Sequence, residues 1–426
     1  MTRLFYTLLY YLILPLVLMR LWWRGRKAPQ YRQRWLERLG IFKAPKDDRP
    51  TLWIHSVSVG ETVAAAPMIK ALLARFPHCR LVVTTMTPTG SERVKALFGD
   101  SVFHVYAPYD LPGCISRFFQ RLNPVGLIVM ETELWPNWVH FCQRRGVPTI
   151  LANGRMSERS ARGYEKVSGL TSSMFADLSW VAAQSADDAA RFDRLGVKVE
   201  NLTTTGSIKF DIQISDELRQ SGSELRLQWG EERLVIVAGS THEGEERILL
   251  NMFRQLLQED PSLMLVIVPR HPERFDSVAG IIEQAGLVMA RRSHRKPFTP
   301  EVQVVLGDTM GELMRFYAAT DVAFVGGSLI QRGGHNPLEP AALGIPVLMG
   351  AHVFNFQDIC HRLESEGVLV TINEASLTSE IGKLLRNDQM RREQGERAVA
   401  FVKKNQGALE RLLAGIEERV IPPGAR

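Results

Sequence analysis

The residue types that could do chemistry gather at the ends of apolar runs. Glu61 closes the turn His55-Ser56-Val57-Ser58-Val59-Gly60-Glu61, after the apolar run Thr51–Ile54 and before the helical stretch Thr62–Leu73. A carboxylate is thereby placed where a parallel strand ends and a helix begins, which is where open α/β sheets bind ligands. The same position suits a carboxylate simply through the helix dipole, and residue types alone leave both readings open. Met130–Asn137 puts Glu131 and Glu133 at a second strand end, where two carboxylates so near an apolar strand are not idle core residues. Lys209, in Gly206–Asp211, stands at the crossing between the two halves of the chain. It either reaches across a cleft or forms a salt bridge with one of those acids.

The second half carries three further turns. Val268–Pro272 presents Arg270, a phosphate ligand or one side of a structural ion pair. Gly307–Leu313 offers Asp308 or Thr309 as a helix N-cap, with free backbone N–H groups that form an anion site or are merely capped. Gly326-Gly327-Ser328 and Gly333–Glu339 let a ligand approach the backbone, and Glu339 could hold ribose hydroxyls or cap a helix. Each signal is weak by itself. Three at successive strand ends of one domain line the same crevice.

The elements that must position these residues alternate. Strands are expected near Leu52–His55, Leu81–Thr85, Val102–Tyr106, Gly126–Met130, Thr149–Ala152, Trp180–Ala183 and Leu202–Thr205, with helical stretches such as Glu92–Phe98 and Asp187–Leu195 between them. A second series runs through Leu234–Ala238, Leu263–Val268, Val302–Leu306, Val322–Val325, Pro346–Met349 and Val368–Thr371. Such alternation predicts parallel, doubly wound sheets. The expected organisation is a membrane anchor with basic flank at 1–27, a Rossmann-like domain at 28–206, a connection at 207–230, a second Rossmann-like domain at 231–387 and a helical segment at 388–426, the two domains enclosing one cleft.

With 426 residues, 45% hydrophobic and 23% charged, the chain has a globular composition. Its formal charge of +6 is uneven: residues 1–38 hold eight Lys/Arg against Glu37 alone. A basic N-terminus on an otherwise near-neutral chain argues against a nucleic-acid partner, which calls for a basic face on a folded domain. Four widely spaced cysteines show neither disulfide nor zinc spacing and fit reduced core thiols. Between Arg3 and Arg20 lie sixteen uncharged residues, followed by Trp22, Trp23, Arg24, Arg26 and Lys27. This segment reads as a single span or deep anchor, or as a helix lying in the membrane surface, with the rest of the chain on the cytoplasmic side in either case. No small-residue cleavage site follows it, which disfavours a secretory signal.

No P-loop, no Gly-x-Gly-x-x-Gly, no His-Glu-x-x-His and no Asp-x-Asp occurs, which disfavours ATP hydrolysis, dinucleotide redox chemistry and metal-held nucleotide diphosphates. The stretches that remain, His55–Glu61, Thr84–Val94, Met130–Asn137, Gly206–Asp211, Val268–Phe275, Gly307–Leu313, Gly333–Glu339 and His352–Asp358, closely resemble those of the 3-deoxy-D-manno-octulosonic acid (Kdo) transferases of lipopolysaccharide synthesis. The resemblance extends over essentially the full length. It implies a GT-B glycosyltransferase fold, the donor CMP-Kdo and, as acceptor, the acylated, bis-phosphorylated disaccharide precursor of lipid A. It further implies inversion at the anomeric carbon, no cofactor or required metal, and action at the cytoplasmic face of the inner membrane. By position it makes Glu61 the general base and Glu131 and Lys209 transition-state stabilisers. Pro269, Arg270, Met310, Gly311, Glu312, Asn336, Pro337, Leu338 and Glu339 would bind CMP. A nucleotide-sugar epimerase of the same fold and a non-enzymatic, membrane-tethered binder of the lipid precursor are the alternatives.

Overall fold

The computed structural model describes residues 2–26, 28–45, 47, 49–294 and 298–420. Met1 and Lys27 of the expected anchor and residues 421–426 of the expected helical segment lie outside them. The chain divides into two compact units, one of Met1–Asp211 with Gln406–Arg426 and one of Ile212–Asn405.

Unit 1 is built on a parallel sheet of seven strands, β1 (Thr51–His55), β2 (Arg80–Thr85), β3 (Phe103–Tyr106), β4 (Pro124–Met130), β5 (Thr149–Gly154), β6 (Trp180–Ala183) and β7 (Leu202–Thr204), in the order 3-2-1-4-5-6-7. Strands covered on both faces read as unbroken apolar runs, and so these were legible. Leu52 and Ile54 enter one core layer and Trp53 the opposite one, all fully buried. Chain order reverses between β1 and β4.

Unit 2 repeats the plan with β8 (Val235–Thr241), β9 (Met264–Pro269), β10 (Met289–Arg291), β11 (Val304–Leu306), β12 (Val322–Val325), β13 (Val347–Gly350) and β14 (Leu369–Ile372), in the order 10-11-9-8-12-13-14. The reversal falls between β8 and β12. β10 was not anticipated: it is a three-residue edge strand, half-buried, with no apolar run to announce it.

Eight helices bear on the sites and are numbered in chain order: α1 (Arg3–Arg24), α2 (Val59–Arg75), α3 (Pro136–Arg144), α4 (Asp216–Trp229), α5 (Leu313–Tyr317), α6 (Leu338–Ala342), α7 (Asp388–Asn405) and α8 (Ala408–Val420). Two expectations meet a different structure. Most of the connection expected at 207–230 is α4, started by Ser215, whose side chain accepts from the Leu218 N–H at 3.2 Å. Its buried positions Gly222, Leu225 and Trp229 follow helical spacing, which the surrounding charges concealed in the sequence. The helical segment expected from residue 388 is two helices parted at Gly407 (φ +87°), α7 belonging to unit 2 and α8 to unit 1. In unit 1, Leu412, Leu413 and Ile416 of α8 join the core layer of Leu52 and Ile54.

α1 is 22 residues long, with a mean hydropathy of 1.8 over its most apolar window, and is long and apolar enough to cross a membrane.

Candidate active site

Glu61 lies in the first turn of α2, directly after β1. Its Oε2 accepts the Val57 N–H at 2.8 Å and its Oε1 the Ser58 hydroxyl at 3.3 Å, so the carboxylate does stabilise the turn that carries it. Burial, reinforced by the charges of Glu131 and Glu133, nevertheless pushes its pKa up to about 7. A carboxyl group poised there can exchange protons at neutral pH. Next to it, His55 is fully buried, held by Thr84 Oγ1 at 2.9 Å and packed edge-on against Trp138, and burial lowers its pKa to about 3. It is a neutral packing residue.

Glu131 follows β4, across the point where strand order reverses, so β1 and β4 present Glu61 and Glu131 at one crevice. Glu131 adopts φ +56°, a left-handed conformation unfavourable for a residue with a Cβ, and its N–H is held by the Ala152 carbonyl at 3.0 Å. Lys209 Nζ lies 3.7 Å from Glu131 Oε1. The pairing with one of the acids, one of the two readings open in the sequence, is therefore present. Lys209 sits in the short turn Ile208–Phe210, which is pinned on both sides. Ile208 and Phe210 are buried, the Ile208 N–H donates to Asn153 Oδ1 at 3.1 Å, and Asp211 accepts the N–H groups of Gly407 and Leu409 at 2.6 Å each, capping α8. Glu61, Glu131 and Lys209, 148 positions apart from first to last, thus form one group within unit 1.

In unit 2 the expected ligand residues occupy the strand ends around the second reversal. Pro269 ends β9 and is buried, while Arg270 is exposed, its N–H held by the Thr241 carbonyl at 3.0 Å. Asn336 accepts the Leu338 N–H at 3.1 Å through Oδ1 and donates to Glu339 Oε1 at 3.3 Å through Nδ2, which orients that carboxylate. Burial raises the pKa of Glu339, with Arg270 acting in the opposite sense. Pro337 and Leu338 are buried, so what Leu338 can offer a ligand is backbone.

The helix N-cap expected at Asp308 or Thr309, just before the turn Met310-Gly311-Glu312, is not formed. α5 begins only at Leu313, is five residues long and has no side-chain cap. Asp308 does not cap it: it accepts from Arg291 Nε at 2.7 Å and from Ser293, and the Thr309 hydroxyl bonds to Glu312. Glu312 in turn is gripped by Arg292 at 2.8 Å and Arg315 at 3.3 Å, and these charge-assisted bonds hold its pKa down at about 2. Met310 is 64% exposed, on the wall of a cavity of about 620 Å³ that Phe298 and this arginine–Glu312 cluster also line.

Residues not singled out in the sequence complete this part of unit 2. Glu245, fully buried, accepts the N–H groups of His242 (2.9 Å), Gly327 (2.8 Å), Ser328 (3.0 Å) and Leu329 (3.1 Å). The glycine-rich loop is therefore built around a protein carboxylate. Gly326 is required there, because a Cβ would come within 2.5 Å of the Ser240 carbonyl oxygen. His242 and His335 bring their Nε2 atoms to 2.9 Å, and His271 lies edge-on to His242. Burial lowers both members of the pair, His335 to about 4, so they are neutral at pH 7. No local signal marks these residues, because their partners are up to 93 positions away.

Two parallel Rossmann-like sheets with loaded strand ends are the fold of the GT-B class, and the family comparisons make the chain a glycosyltransferase. Residues 33–212 match the family model "3-Deoxy-D-manno-octulosonic-acid transferase (kdotransferase)", and residues 227–401 match "Glycosyl transferases group 1". The chain is 44% identical to the 3-deoxy-D-manno-octulosonic acid transferase of Haemophilus influenzae, over 97% of each chain. It is 34% identical to that of Bordetella pertussis, over 97% of this chain and 98% of the relative. Among solved structures, the UDP-GlcNAc 2-epimerase from Neisseria meningitidis superposes with a TM-score of 0.55 at 12% identity, covering 87% of this chain and 99% of that one, a likeness of fold alone. The chain belongs to the 3-deoxy-D-manno-octulosonic acid transferase family.

Proposed function

We propose that the chain transfers Kdo from CMP-Kdo to a hydroxyl of the lipid A precursor, with inversion at the anomeric carbon and without a metal, at the cytoplasmic face of the inner membrane. The observation that carries this reading is the meeting of Glu61 with Glu131 and Lys209 at the strand-order reversal of unit 1. Glu61 takes the proton of the acceptor hydroxyl as its oxygen attacks the anomeric carbon. The bond to the CMP phosphate breaks, and CMP leaves with the electron pair. Lys209, held beside Glu131, stabilises the charge that develops. Because CMP has a single phosphate, side-chain cations suffice where a nucleotide diphosphate calls for a divalent ion. Unit 2 binds the nucleotide, with Pro269, Arg270, Met310, Gly311, Glu312, Asn336, Pro337, Leu338 and Glu339 as the CMP-binding residues. Glu312, locked by two arginines, keeps the Met310 turn in shape. Unit 2 is the donor domain and unit 1 the acceptor domain in this reading, while the basic, apolar N-terminus keeps the enzyme at the membrane that holds its lipid substrate.

The test is transfer in detergent from freshly generated CMP-Kdo to the tetra-acyl precursor, with products resolved by mass and a parallel reaction in chelator. A gain of one or more Kdo units, unchanged by chelator, is expected. Absence of any mass shift from protein that still binds CMP would overturn the acceptor assignment.

A further inference from the structure

α1 has two faces, and only one of them is free. The inward stripe Arg3, Thr7, Tyr10 and Leu14, spaced by three and four residues and continued by Val17 and Leu18, is seated on unit 1. Near its start the seat is polar. Asn137 Nδ2 donates to the Thr7 hydroxyl at 3.0 Å and to the Asp110 carbonyl at 2.8 Å, and Arg3 donates to Asn137 Oδ1 at 3.3 Å. Asp110, fully buried, accepts the N–H groups of Asn137 and Trp138 at 3.0 and 2.9 Å, and the Tyr6 hydroxyl also bonds to it. Further along the seat is apolar: Tyr10, Leu14, Val17 and Leu18 pack on Tyr109, Leu111 and Cys114. At the far end Arg32 Nε donates to the Trp22 carbonyl at 3.1 Å. The opposite stripe, Phe5, Leu8, Leu12, Leu16, Met19 and Trp23, is 58–76% exposed at every position.

Length does not say how such a helix meets a bilayer, since about 33 Å of helix is enough to cross it. The seat does. If α1 crossed together with its seat, the irregular backbone of residues 107–111 would stand at hydrocarbon depth, where exposed peptide groups find no partners. If it crossed alone, Asp110 would lose the Tyr6 hydroxyl, Asn137 would lose the Thr7 hydroxyl and Arg3, and Tyr109, Leu111 and Cys114 would be bared. A helix lying along one leaflet meets both demands, one face on protein and the other in acyl chain.

We infer that α1 lies in the plane of a single leaflet with unit 1 riding on it, so that the N-terminus and Glu61 are on the same side of the membrane. The occupant of the exposed stripe is the surface of an anionic bilayer. Arg20, Arg24, Arg26 and Arg32 gather at one end of the helix and are all exposed, and the guanidiniums of Arg26 and Arg32 flank the Trp22 ring at 5.0 and 4.7 Å. That combination of interfacial tryptophan and cation suits the headgroup layer of an anionic leaflet. This rests on the membrane reading proposed above and adds the orientation.

The test is sided labelling with a membrane-impermeant maleimide in vesicles from expressing cells. The four native cysteines are buried and give little background. Thr2→Cys reports the N-terminus, and Ser223→Cys, on the exposed side of α4, reports the side of the folded units. Both thiols are expected to label at least tenfold more in inverted vesicles than in right-side-out ones. A reversed ratio at Thr2→Cys with an unchanged one at Ser223→Cys means that α1 spans, which overturns the inference and leaves membrane binding intact. If the full chain fails to sediment with the vesicles, both fall.

Discussion

Glu61 shows how one carboxylate serves two ends: its bonds to Val57 and Ser58 hold the turn, and its desolvation beside Glu131 and Glu133 sets its proton affinity. A base with a pKa of about 7 is loaded with its proton below that value. Transfer should therefore fall as pH drops through about 7 along a one-proton limb in kcat/KM. Glu131→Gln removes one negative neighbour and should move that limb to lower pH, an effect that damage to binding alone would not produce. Glu61→Gln should cut transfer roughly 10²–10⁴-fold while an equilibrium titration gives unchanged CMP affinity, and near-normal turnover would refute the base assignment. Arg270→Ala should instead weaken CMP binding about tenfold or more, the scale of one lost charge-assisted hydrogen bond. At this scale the sequence was readable where a reactive type follows an apolar run, as with Glu61, Glu131 and Arg270. Glu245 and His242 were not readable, because what makes them matter is contact with Gly327–Leu329 and His335, more than 80 residues further on.

Helices and loops earn their positions by fit as much as by pattern. The loop Gly326–Leu329 depends on the Glu245 carboxylate, and Glu245→Ala leaves four N–H groups to find other partners. A loss of about 3 kcal/mol or more is expected in denaturant unfolding of unit 2, with weaker CMP binding. In unit 1, Gly415 lets α8 approach β6 so closely that a Cβ would come within 2.1 Å of the Trp180 ring. Gly415→Ala should lower stability by roughly 1–3 kcal/mol by overpacking, measurable as a fall in the unfolding midpoint. The strands were legible as elements because burial on both faces leaves unbroken apolar runs. α4 was hidden because its three buried positions are diluted by charged ones, and β10 because an edge strand of three residues carries almost no pattern.

Over the whole chain, unit 2 is continuous and unit 1 is not: its core is closed by α8, some 200 residues beyond Asp211. A fragment of residues 212–405 should fold and bind CMP, read by a cooperative melt and a titration. A fragment of residues 1–211 should aggregate in light scattering, because Leu412, Leu413 and Ile416 no longer cover the β1–β4 core, and appending residues 406–426 through a flexible linker should restore it. By itself the sequence determined two doubly wound halves, an apolar basic N-terminus and carboxylates at strand ends, since all of these follow from local periodicity and from which residue types tolerate burial. Only the tertiary structure decided that Glu61, Glu131 and Lys209 meet, that the last helix returns to the first unit, and that α1 is seated along one face. Each of those depends on register and close contact between segments far apart in the chain, which local pattern does not encode.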